Sequence, residues 1–159
     1  MNRPLKIGLV ITAVLLGDLV IFGAIGSYVL GRESYSFDDN DLPRHLAGRW
    51  DWSNRAHPCG DSAHVITFSP DRRTMTIAMP PHPPRDSGWS ATYDLLSLEP
   101  SRLRGAIRGE KRLTKGGKPV VWDLVMAGPN EYRWHRTDWP ANSYTIGVLR
   151  CGADSTSGD

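Results

Sequence analysis

"VVWDLVMAGPNEYRWHR", Val120 to Arg136, contains the fold in miniature. Val120, Trp122, Leu124 and Met126 alternate with their neighbours, and alternation at period two puts one set of side chains on one face of a strand. Ala127-Gly128-Pro129-Asn130-Glu131 then breaks the pattern with turn-forming residues, and Tyr132–Arg136 resumes it. The segment reads as an antiparallel hairpin with one buried face.

The same grammar extends in both directions. Six further short runs bring the total to about eight β-type runs: Gly48–Trp52, His64–Phe68, Thr74–Met79, Trp89–Leu96, Leu103–Arg108, Val120–Met126, Tyr132–Arg136 and Ser143–Arg150. Met75, Ile77 and Met79 share a face, as do Leu103, Gly105 and Ile107. "SPDRR" after Phe68 and "LEPSR" after Leu96 are turn signals. No amphipathic helix interrupts these runs. The expectation is a mainly β domain, an antiparallel up-and-down meander closed into a barrel or folded as a small sandwich. Six Trp, 12 Pro and 16 Gly spread along the 159 residues fit a turn-rich folded chain.

Upstream, Ile7–Leu30 is an apolar stretch longer than the roughly 20 residues that cross a hydrocarbon core. Asp18 interrupts it. A central Asp costs about 2.5–3.5 kcal/mol, whereas the fourteen Leu, Ile, Val and Phe residues of the stretch together contribute roughly −4 to −8 kcal/mol, so insertion is favoured overall. Arg3 and Lys6 precede it and Glu33, Asp38, Asp39 and Asp41 follow, which places the N-terminus in the cytoplasm and the rest of the chain in a periplasmic or extracellular space. A signal peptide cleaved after Ala24-Ile25-Gly26 is the competing reading. The resulting organisation is a transmembrane signal anchor over 1–30, an acidic linker over 31–44, a β domain over 45–151 and a flexible tail over 152–159. Ala13, Gly17, Ala24 and Ser27 form a stripe of small residues that would let another membrane helix approach, with Asp18 beside it as a polar contact.

Cys59 and Cys151 form an even pair in a compartment that permits a disulfide. Their positions conflict with a simple meander, however. Cys59 follows the first strand and Cys151 ends the last, so they would lie at opposite ends unless "SNRAHPCGDSA" folds back across the barrel or the strand count is off by one.

"LAGRWDW" includes Gly48-Arg49-Trp50, which resembles the Gly-x-Trp that opens the first strand of lipocalins and related calycin barrels. Arg150, on the final strand, is similar to the basic residue those folds stack on that Trp. The resemblance implies that Trp50 plugs one end of the barrel under a cation–π contact from Arg150, and it implies a pocket for a small apolar ligand. It covers the strand count and one tripeptide: "GPNEY" departs from the Thr-Asp-Tyr-like turn of lipocalins, and no helix follows the last strand. A small β domain of another kind fits the same residues.

Catalytic and metal chemistry find little footing. His57, Cys59 and His64 match no common zinc spacing, and His135 with Asp138 lacks a nucleophile in a recognisable motif, so neither an enzyme nor a cofactor is expected. Nineteen basic against 17 acidic residues give no whole-molecule attraction to nucleic acid. Arg102, Arg104, Arg108, Lys111 and Arg112 form a locally basic stretch that could meet anionic lipid headgroups or an acidic protein. The proline-rich loop Ala78–Gly88 is a second candidate contact surface. The expected role is a non-catalytic accessory subunit beside other membrane proteins, with a calycin-like ligand pocket as the alternative and an envelope hydrolase as the weakest reading.

Overall fold

The computed structural model describes residues 34–81 and 87–152. The 1–30 anchor with its Ala13, Gly17, Asp18, Ala24 and Ser27 stripe, the centre of the proline-rich loop and the tail beyond Gly152 lie outside the described residues. Among the described residues, no helix is long and apolar enough to cross a membrane.

Eight strands form a closed antiparallel barrel in chain order: β1 Gly48–Trp52, β2 His64–Phe68, β3 Thr74–Met79, β4 Trp89–Leu98, β5 Arg102–Ile107, β6 Trp122–Gly128, β7 Glu131–Arg136 and β8 Val148–Arg150. Closure comes from β1 against β8, where Trp50 faces Arg150 and Trp52 faces Val148. A closed barrel leaves no sheet edge, and its tilted strands direct alternate residues into one interior. Trp50, Ile66, Met75, Leu103, Leu124, Met126 and Val148 are fully buried there.

The departures from sequence expectation have local causes. β4 runs to Leu98 rather than ending at Leu96, because a bulge between Leu95 and Ser97 turns Leu96 outward, 59% exposed, and then restores pairing. A second bulge, between Met126 and Gly128, lets β6 continue to Gly128. β8 is only three residues long. Upstream of it Thr145 N donates to Trp134 O, one residue out of the register set by Glu131–Leu149 and Tyr132–Val148, and Thr145 Oγ1 accepts from Trp134 N. The chain from Ser143 therefore follows β7 without a regular ladder.

A short helix, α1 (Leu42–Leu46), caps one end. Asp41 is its N-cap, its side chain accepting from Arg44 N, and Pro43 sits in the first turn, where a missing N–H costs nothing. Leu42 and Leu46 are fully buried, and Phe37 joins them with its ring stacked on His45 at 3.7 Å. His45 Nε2 is 3.0 Å from Asp39 Oδ1, and Arg44 also pairs with Asp39. Residues 34–44 thus include part of the core, not spacer alone: Tyr35 N donates to Met126 O and ties this segment to the same end of the barrel.

Candidate functional site

Each end of the barrel has its own chemistry. At the capped end Trp50 is fully buried, its Nε1–H donating to Leu46 O at 2.8 Å. Arg150 Cζ lies 4.5 Å from the centroid of the Trp50 ring, and burial lowers the Arg150 pKa. Gly48 completes the motif, since its φ of +132° disfavours any side chain and an added Cβ would meet Arg150 Nη1 at 3.1 Å. These contacts and α1 leave this end filled.

Among the described residues the opposite end is open and leads into an apolar cavity of about 210 Å³. Trp52, Trp89, Tyr93, Trp122, Tyr132 and Trp134 supply most of its wall, with Ile77, Met79, Thr145 and His64 between them. The six aromatic residues come from four different strands, β1, β4, β6 and β7, each at an inward position near the open end. Tyr93 and Trp134 stack at 5.2 Å, and Trp122 meets Trp134 edge-on at 6.2 Å. Arg136, held by Asp138 at 2.8 Å and 2.7 Å, lies over Trp122 and Trp139 outside the cavity lining. Trp122 Nε1 is buried without a hydrogen-bond partner among the described residues.

His64 is the principal polar group of the lining, 4% exposed, with Nε2 2.6 Å from Tyr132 Oη. Burial lowers its pKa to about 4, against a smaller opposing effect of Asp51, so it is neutral near pH 7. The tautomer follows from satisfaction of the phenol. Tyr132 is fully buried and the indole N–H of Trp134 also hydrogen-bonds to its oxygen, which leaves the phenol O–H to donate to Nε2. The reverse arrangement would leave a buried O–H unpaired, at a cost of about 1–3 kcal/mol. Nδ1 therefore carries the ring proton, and no described residue accepts it. Burial raises Tyr93 to about 12 and Tyr132 well above its ordinary value, so both phenols stay neutral. No side chain lining the cavity is charged.

Cys59 and Cys151 are bonded, with Cα atoms 5.5 Å apart across a separation of 92 residues. The loop after β1 does fold back. Asp51, on the outer face of β1 yet fully buried, accepts from Cys59 N at 2.8 Å and Ser62 Oγ at 3.3 Å, while Arg49 Nη2 donates to Gly60 O at 2.8 Å. With Cys59 in the bridge, the His57, Cys59 and His64 grouping loses its thiolate, and among the described residues no cluster of three potential ligands could hold a metal ion.

The basic stretch is largely compensated. Arg104 pairs with Asp123 through two bonds of 2.7 Å and 2.9 Å, Arg102 with Glu99, Arg108 with Asp94 and Arg112 with Glu110. Lys111 has no ion pair among the described residues. Counting charge along one segment missed these partners because Asp94 and Asp123 come from neighbouring strands. His135, Nδ1 of which contacts Ser143 O, and Asp138, engaged by Arg136, do not form a pair.

The calycin resemblance implied a pocket but not its lining, although Trp52, His64, Met79, Trp122 and Trp134 all sit at inward period-two positions. Compared with family models, curated proteins and solved structures, the chain matches none.

Proposed function

We propose that this chain is a binding protein whose barrel takes a small, uncharged, largely apolar molecule into its open end. One observation carries the reading: an apolar cavity of about 210 Å³ persists in a barrel whose other end is filled. Apolar cavities of about 150 Å³ admit benzene, so this one has room for one or two fused rings. The capped end, with Gly48, Trp50 and Arg150 in contact, supports a calycin-like relationship for the barrel. The apolar Ile7–Leu30 stretch supports attachment to a membrane with the barrel outside the cytoplasm, and on that reading the domain serves there as a non-catalytic accessory component.

The test is equilibrium dialysis of the purified full chain against naphthalene. Saturable binding at one site is expected, and it should be lost in Ile77→Trp, which fills the cavity from β3. Absence of saturable binding by the wild-type chain, or equal binding by the filled variant, rejects the cavity as a ligand site.

A further inference from the structure

We infer that the ligand is a neutral, planar one- or two-ring molecule bearing a hydrogen-bond acceptor, a heteroaromatic nitrogen or ring carbonyl, that engages His64 Nδ1–H. This rests on the reading of the open end as a ligand cavity and adds the chemistry of what enters it. Six aromatic side chains crowd a space of about 210 Å³, a shape that admits a flat molecule more readily than a branched one. The polar feature of that space is specific in sign. The Tyr132 hydroxyl, 2.6 Å from His64 Nε2, holds the imidazole in the tautomer whose Nδ1 is a donor, and that donor has no partner among the described residues. Trp122 lines the same space with its ring, its Nε1–H being buried and so offering no second donor there.

Cations are disfavoured by the same arrangement, even though aromatic walls often hold quaternary ammonium groups. The face of Trp134 is stacked on Tyr93, and the Arg136 guanidinium already lies 6.0 Å from the Trp122 centroid. Anions are disfavoured because no cationic side chain lines the cavity. An uncharged acceptor is the complement that remains.

Three probes of one shape separate the possibilities: naphthalene, without an acceptor; quinoline, with a ring nitrogen and uncharged at pH 8; and 1-methylquinolinium, a permanent cation. Equilibrium dialysis of the full chain at pH 8 should show quinoline binding about five- to tenfold tighter than naphthalene, the ratio one hydrogen bond provides. The methylated cation should bind more weakly than either. In His64→Phe the quinoline-to-naphthalene ratio should collapse to about one. Should that variant fail to fold, Tyr132→Phe provides the second test, since without the phenol the tautomer is no longer held and the ratio should fall at least twofold. Equal affinity of quinoline and naphthalene overturns the acceptor inference while leaving the cavity a ligand site. A tightest-binding cation overturns it in favour of an aromatic cation cage. Failure of all three to bind removes the cavity reading along with it.

Discussion

At the scale of single residues, His64 makes the sharpest link between burial and behaviour. Its pKa in the folded chain is about 4, against an ordinary value of 6.5. As pH falls from 6.5 toward 4, the unfolded chain takes up a proton that the folded chain refuses, so stability declines through that window and is fully retained above it. The loss by pH 4 is about 3 kcal/mol. Urea unfolding of the wild type and of His64→Phe across this range should diverge in slope, with the variant flatter; parallel curves would show that His64 is not the titrating group. Trp50 supplies a second residue-scale expectation. It is fully buried, hydrogen-bonded to Leu46 O and covered by Arg150, and Trp50→Ala should destabilise by about 3–5 kcal/mol in denaturant titrations.

At the scale of elements, the loop after β1 depends on a covalent and a polar anchor together. The Cys59–Cys151 bridge closes 92 residues, worth about 4–5 kcal/mol in the chain-entropy account. Asp51 binds the same loop from beneath through Cys59 N and Ser62 Oγ. Cys59→Ala with Cys151→Ala should therefore lower the denaturation midpoint strongly, and adding Asp51→Ala to that pair should cost less than Asp51→Ala in the bridged chain, because the loop is already released. Additive effects in this cycle would show that the two anchors act independently. The helix α1 is an element of another kind. Its five residues are too few to be stable alone, and its position follows from Leu42 and Leu46 reaching the core. Leu46→Ala should cost about 2–5 kcal/mol, measured by the same titration.

At the scale of the whole molecule, closure of the barrel gives one filled end and one open end, and ligand binding should couple to global stability through the open one. A molecule that binds only the folded barrel, present at 100 times its Kd, should stabilise it by about 2.7 kcal/mol. Thermal unfolding with and without quinoline should show this as a rise in Tm in the wild type and none in Ile77→Trp. A rise in both would place the binding outside the cavity.

Much of this architecture was readable from the chain, because period-two alternation and turn chemistry are local properties. Gly48–Trp52, His64–Phe68 and Thr74–Met79 fall where alternation puts them, and the contact of Trp50 with Arg150 joins the two residues that the Gly-x-Trp resemblance pairs. The even pair of cysteines suggested a bridge on the same footing. What required tertiary structure was every feature built from residues distant in sequence. The bulges at Leu96 and Ala127 break the alternation that would have revealed the ends of β4 and β6. The pairing of Arg104 with Asp123 and of Arg108 with Asp94 depends on strand register, so a stretch that reads as basic along the chain is largely neutralised in space. Leu42 reads as part of the 31–44 linker along the chain, and only the barrel end beneath it supplies the surface that it covers together with Leu46. The cavity was the least legible feature of all: inward alternation specifies which side chains meet, but whether six aromatic rings fill the interior or leave room depends on strand tilt and stagger, which only the closed sheet sets.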